Sequence, residues 1–311
     1  MDLAIIFISL LLLMFFAYRG FSLIFIAPIF AVLAAITSDY TSMPVYSELY
    51  MTKAAEYIKS YYPVFLLGAV FAKIMEEGGL AASVAAKIVS VLGKERAILA
   101  VLFGCGVLTY GGLSVFVVAF VMYPFAAILF KQADIPKRLL PAILWMGIFT
   151  YSMVSLPGTP QIQNIIPAAV FGTTTWAGIG QGLLASILFF IIAYVWISYR
   201  SKSLKSKGEG YGKHTLNEPE NNNDELPDWR LSSIPLLMVI IINLYVSNPF
   251  NWSWAFHWDQ NSLLAFAPLK LSLIASSVAK VQAIWSINVA LLISSIVAAY
   301  IGRKKLRRLG G

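Results

Sequence analysis

The residues that could do chemistry in this chain sit in two short polar interruptions of long apolar runs. Gly111, Gly112 and Ser114 occupy the first, and Gly158, Thr159, Gln161, Gln163 and Asn164 the second. A helix that begins at such a break presents unsatisfied N–H groups and the positive end of its dipole, which suits an anion. In the first break Gly111-Gly112 frees the backbone to turn, and Ser114 falls in the first turn of a helix running to Phe130. In the second, Thr159 is placed to cap a helix with Pro160 at its first position, a pairing favoured at helix starts. Gln161, Gln163 and Asn164 then offer amides that suit hydroxyls and carboxylates alike. This is the chemistry of binding rather than catalysis. His214 and His257 both lie outside the apolar runs, no His-Glu-x-x-His or Gly-x-Ser-x-Gly occurs, and no catalytic residue, metal site or cofactor is expected.

The elements that must position these residues are set by composition. Of 311 residues 59% are hydrophobic and 12% charged, about half the roughly 25% charged fraction of a soluble domain. The apolar segments are long, uncharged and without period-two alternation, so the fold expected is all-α: a polytopic helical membrane protein. The formal charge of +8 gathers at the ends of apolar segments, which marks topology and excludes nucleic acid as a partner. The single cysteine, Cys105, lies inside an apolar segment and reads as packing. Met1-Asp2 lacks the basic region of a secretory signal, so the first run is expected to be retained.

In chain order, Leu3–Tyr18 and Phe21–Thr37 form a helical pair around Arg19-Gly20, and the polar stretch Ser38–Ser60 belongs in water or at the interface. Tyr61–Met75 is a third run, whose end, with Lys73, Glu76 and Glu77, reads as interfacial. Leu80–Leu92 is an amphipathic helix. The run from 97 to 130, roughly 34 residues, is too long for one span and too short for two. Lys94 and Arg96 precede it and Lys131, Lys137 and Arg138 follow it. Basic clusters favour one face of the membrane, so a re-entrant hairpin with its tip at Tyr110-Gly111-Gly112 satisfies both length and charge. The next run, 139–171, carries its break at Leu156–Pro160, with Asp134 solvated in the loop before it and Trp176 at the far interface. Two plainer readings stand beside these: Gly104, Gly106, Gly111 and Gly112 as a small-residue packing face, and Pro157–Thr175 as an external loop. Residues 201–230 read as a cytoplasmic linker between a first repeat (1–200) and a partial second (231–311). Within the latter, Leu263–Lys280, with Pro268 and Lys270, makes a poor span.

The segments Gly111-Gly112-Leu113-Ser114-Val115-Phe116, Ala133-Asp134-Ile135-Pro136-Lys137-Arg138 and Leu156-Pro157-Gly158-Thr159-Pro160-Gln161-Ile162-Gln163-Asn164 closely resemble the gluconate permease family of GntP-type proton symporters. The resemblance implies the ion-transporter architecture, in which inverted repeats each supply a hairpin and a broken helix and substrate binds between the tips. It implies secondary transport of a small hydroxylated monocarboxylate, a gluconate-like aldonate or a hydroxybutyrate, coupled to a proton, in the bacterial inner membrane. The implied partners are that organic anion, its coupling proton and membrane lipid, and a homodimer is compatible with them. The Pro-Gly-Thr-Pro-Gln form is similar to a divergent branch near hydroxybutyrate permeases. Relative to the family the chain is expected to lack part of its second repeat, so a truncated, non-transporting membrane subunit is the alternative reading. No membrane-embedded carboxylate is evident in sequence near Gly111 or Thr159.

Overall fold

The computed structural model describes residues 2–37, 41–214, 218, 226–258 and 278–309. Part of the expected linker (215–217 and 219–225), most of the expected poor span (263–277) with the residues before it (259–262), and residues 38–40 lie outside the described residues. Among the described residues the regular structure is all helical, and six helices are long and apolar enough to cross a membrane: Ser42–Glu77, Val115–Gln132, Lys137–Ser155, Ile179–Lys205, Trp229–Ser247 and Val281–Leu306. The protein is an integral membrane protein.

Two compact units divide at Pro63 and Val64. In the first, α1 (Asp2–Tyr18) and α2 (Leu23–Thr37) pack together, with Phe16 against Phe21 and Phe30 at centroid distances of 5.5 Å. Arg19 closes the turn over the Phe15 ring at 5.2 Å. Most of their apolar side chains face outward, Leu3, Leu11, Ile24 and Phe25 among them, a surface suited to lipid. The polar stretch expected in water or at the interface is helical from Ser42. It runs through a π-type segment, Val45–Tyr50, into α3 (Met51–Glu77). Its charges fall at helical spacing, as in the Lys53–Glu56 pair at 2.8 Å, so polarity there does not interrupt the helix.

The second unit contains the end of α3 and then α4 (Leu80–Leu92), α5 (Ala97–Tyr110), α6 (Val115–Gln132), α7 (Leu140–Phe149), α8 (Ile162–Phe171), α9 (Ile179–Lys205), α10 (Trp229–Ser247) and α11 (Val278–Leu309). α4 is amphipathic as expected, with Leu80, Ala81, Val84 and Ala85 buried. Its Lys87 lies 5.2 Å from the Trp229 ring, and Ser83 donates to the Pro227 carbonyl at 2.6 Å. α10 and α11 pack on each other and against α4 and α8 respectively, so both sides of the 201–230 segment belong to one unit. At the other end of α10 an aromatic cluster gathers, in which Trp252 stacks on Trp254 at 4.9 Å and Trp258 donates to the Val246 carbonyl at 2.6 Å. Aromatic residues with one polar end suit a membrane–water boundary.

α5 is 14 residues long, about 21 Å at 1.5 Å per residue, short of the roughly 30 Å hydrocarbon core. Its first residues, the end of α6 and the end of α9 share one crevice, and Lys205 donates to the Ala133 carbonyl at 2.8 Å. The α5–α6 pair therefore enters and leaves on the side where α9 ends.

On that side the chain beyond α9 is tied to the loop after α6. Asp134, expected to be solvated, accepts the Tyr211 N–H at 2.8 Å. Glu218 accepts from Lys137 at 2.7 Å, from the Tyr211 hydroxyl at 3.1 Å and from Lys131 at 3.4 Å, while Arg138 pairs with Glu209 at 2.6 Å. These partners are more than 70 residues apart for the most part, which is why the sequence gives no sign of them. The Lys137 hydrogen bond, with those of Tyr211 and Lys131, holds the Glu218 carboxyl below its ordinary 4.5. Burial, reinforced by Glu218, pushes the Tyr211 phenol up to about 12. A depressed carboxyl stabilises the clamp above its unfolded value and loses that contribution as pH falls through the folded one; a raised phenol does the reverse, between 10 and about 12. A spin label on a Lys213→Cys variant is expected to show unchanged mobility from pH 6 to 8 and rising mobility as the pH falls below 4.5. Constant mobility through that acid range would remove Glu218 from the clamp.

Candidate functional site

The first break is a four-residue turn between α5 and α6. Gly112 has φ +97°, a conformation that disfavours a side chain. Ser114 is the residue before the first helical position of α6, and its hydroxyl accepts the Val117 N–H at 3.4 Å. Gly111 faces elsewhere: a methyl on it would lie 2.5 Å from Leu236 of α10. The packing reading is correct for the two earlier glycines. Gly104 receives Met122, and a methyl at Gly106 would overlap the Tyr151 hydroxyl, which donates to the Leu102 carbonyl at 2.8 Å.

The second break is longer than the sequence suggests. α7 ends at Phe149, a π-type turn covers Tyr151–Ser155, and α8 begins only at Ile162. The expected cap at Thr159 is not formed: Gln161 holds the cap position, with φ −86° and ψ 148°. The reason lies in the partners of the loop. Asn164 turns its amide back to donate to the carbonyls of Thr159 (3.1 Å) and Thr175 (2.8 Å), and Gly158, at φ +77°, lies beneath the Trp176 indole. Trp176 thus covers the break. Asn243 of α10, fully buried, donates to the Gly158 carbonyl at 3.1 Å and to the Thr175 hydroxyl at 3.2 Å. Around this point the Thr159 hydroxyl, the Trp176 indole N–H and Asn243 Oδ1 are buried with no hydrogen-bond partner among the described residues. Leaving such a group unsatisfied costs about 1–3 kcal/mol, so the arrangement is one that folding alone does not favour.

The two breaks meet. The Gln161 amide donates to the Thr109 carbonyl at 2.9 Å and the Leu113 carbonyl at 3.2 Å, occupying the backbone acceptors at the hairpin tip. Tyr110 donates to the Pro157 carbonyl at 2.7 Å, and a methyl at Gly112 would lie 3.5 Å from Pro160, Phe71 and Leu291. Leu291 stands about 18 Å along α11 from Arg303, which places the junction near mid-bilayer depth.

Gly112, Ser114, Pro160 and Gln161 line one cavity of about 510 Å³, closed on another side by α3 from Val64 to Lys73. Lys73 is the charge in that cavity. Its ammonium lies 3.1 Å from Glu77 and 3.7 Å from Glu76. Gly78, just beyond, packs on Gly302 of α11, so Lys73 sits between the mid-depth junction and the basic end of the bundle. The cavity thus offers an ammonium, a serine hydroxyl and the glutamine side chain at the start of α8, against apolar walls. That set suits a small carboxylate that carries hydroxyls.

Of the residues read from sequence, Gly112, Ser114 and Gln161 line the cavity. Gly111, Gly158 and Asn164 make the structural contacts described above, Thr159 is buried behind the break, and Gln163 is exposed on α8. Lys73, read with Glu76 and Glu77 as interfacial, also lines the cavity, a placement that the sequence reading did not include among the site residues. The available signal was a lysine inside an apolar helix with acids at the third and fourth positions after it.

Comparison with known proteins gives a consistent picture. The family described as GntP family permease matches over residues 1–304. The chain is 42% identical over 308 residues to a Bacillus subtilis (strain 168) protein called "Uncharacterized transporter YxjC", a match that covers 95% of this chain. The chain spans 64% of the length of that curated relative. No solved structure gives a match.

Proposed function

The chain belongs to the GntP permease family, and from that premise we propose that it takes part in secondary active transport of a small hydroxylated monocarboxylate across the bacterial cytoplasmic membrane. The substrate class is a gluconate-like aldonate or a hydroxybutyrate, and the coupling ion is a proton. The observation that carries this reading is the common cavity, in which both breaks and Lys73 converge. A carboxylate entering it pairs with the Lys73 ammonium, and its hydroxyls meet Ser114 and Gln161.

The Lys73 pairs suggest how a proton joins the cycle. Substrate carboxylate and Glu77 compete for one ammonium, and when the substrate takes it, a proton taken up on Glu77 offsets the freed negative charge. Binding of the anion and of the proton then favour each other by the same factor, as linkage requires. This gives co-transport in one direction with no carboxylate in the breaks themselves.

The test is uptake of labelled gluconate and 3-hydroxybutyrate into proteoliposomes, with and without an imposed inward proton gradient. Uptake of one of them, stimulated by the gradient, is the expected result. A Glu77→Gln variant is expected to exchange substrate but to lose the response to the gradient. Uptake that ignores the gradient in the unmodified protein would remove the proton from the proposal. Uptake of neither compound would favour a non-transporting membrane subunit instead.

A further inference from the structure

The basic end of α9 borders two adjoining cavities that the transport reading does not use. The first, about 400 Å³, lies between the start of α5, the end of α6 and the end of α9. Its charged lining is Lys94, Arg96, Lys202 and Lys205 against a single carboxylate, Glu95. Lys205 is engaged with the Ala133 carbonyl. No ion pair is formed by Lys94, Arg96 or Lys202 among the described residues. Tyr194, Ser198 and Ser201 complete a polar wall on α9.

The second cavity, about 600 Å³, adjoins the first at Leu99, which lines both. It runs along α5 past Phe103 and Val107, walled by Val84, Ile88 and Val91 of α4, Phe190 of α9 and Trp229 of α10, with Lys87 the one charge among its described lining residues, and its exposed walls are apolar. α9 is the least buried of the candidate spans, with 17% of its most apolar window inside the protein. Its outward stripe above Tyr194 is Ile191 and Ile187, both more than half or about half exposed at 50% and 58%. A chamber lined by cations thus adjoins one with apolar walls.

We propose that this α5–α9 cleft is a binding site for an anionic phospholipid of the cytoplasmic leaflet, with the phosphate among Lys94, Arg96 and Lys202 and an acyl chain beside Leu99, Phe103 and Phe190. Basic residues near the cytoplasmic surface attract anionic lipid in general. What distinguishes this site is that the cations line one chamber, and that chamber shares Leu99 with an apolar groove. A soluble phosphate ester would use the first chamber alone. The inference stands apart from the transport reading and does not depend on it.

The test is native mass spectrometry of the delipidated full chain titrated with phosphatidylglycerol, phosphatidylcholine or glycerol 3-phosphate. Phosphatidylglycerol is expected to be retained at least tenfold better than phosphatidylcholine, in keeping with about 1 kcal/mol for each basic residue. The preference is expected to vanish in Lys94→Ala/Arg96→Ala/Lys202→Ala and to persist in Arg200→Ala/Lys207→Ala/Lys213→Ala, which removes the same charge outside the cleft. Leu99→Trp, which fills the junction and leaves charge unchanged, is expected to weaken retention as well. Equal loss in the two charge variants would overturn the site in favour of diffuse attraction. Glycerol 3-phosphate competing at the same concentration as the lipid would overturn the acyl-chain part and leave a site for a free phosphate ester.

Discussion

Replacing Lys73 with Gln is expected to raise the apparent KM for the transported carboxylate by roughly 10- to 100-fold, the loss of about 1.5–3 kcal/mol carried by a hydrogen bond to a charged group. The ammonium is the sole charge among the described residues that line the cavity between the breaks, and none of these is placed to replace it. Lys73→Arg keeps the charge and is expected to recover part of the affinity, although its planar fork differs in shape from a compact ammonium. Lys73 is 62% exposed, and the variant is expected to fold and purify normally. The same substitution also frees Glu76 and Glu77, so the response to a proton gradient should weaken together with affinity. Unchanged KM in uptake assays would move the carboxylate away from Lys73, to the helix starts at Ser114 and Ile162.

The second large effect is expected at Gly158. Alanine there meets two separate penalties. The backbone has φ +77°, which costs a side-chain-bearing residue about 1–2 kcal/mol. The added methyl also overlaps the Trp176 indole, and overpacking costs typically about 1–3 kcal/mol. Together they predict a destabilisation of about 2–5 kcal/mol, read as a lower thermal unfolding temperature of the detergent-solubilised protein. A double-mutant cycle with Trp176→Ala separates the terms, because it removes the overlap and leaves the backbone penalty in place. Additive effects of the two substitutions would show that the indole does not restrain the break.

The sequence made the hairpin legible because two local quantities, the length of the run 97–130 and the basic residues on either side, admit few solutions. The position of the second break was legible for a similar reason, since Pro157, Gly158 and Pro160 interrupt any helix. Its register was not. Thr159 and Pro160 carry the local signals of a helix start, but Asn164, Trp176 and Asn243 hold the chain in a longer loop and pass the cap position to Gln161. Those restraints come from 5 to 85 positions away along the chain, beyond what spacing can show. Lys73 was obscured in another way. Its acids at the third and fourth positions supply a complete local explanation, and only the approach of α3 to Gly112 and Pro160 reveals that it also faces a cavity. The clamp at Asp134 and Glu218 joins loops whose charges, taken singly, look solvated.

Cys105 packs into the space left by Gly147, where a methyl on the glycine would lie 2.6 Å from the cysteine Cβ, and its side chain has no exposed surface. For thiol chemistry the native protein is therefore silent. A maleimide or nitroxide added to the folded protein should report a single introduced cysteine against no background. The sidedness of Arg19, Lys94, Lys213 or Trp254 can then be mapped one position at a time without first removing a native thiol and reopening the core around it.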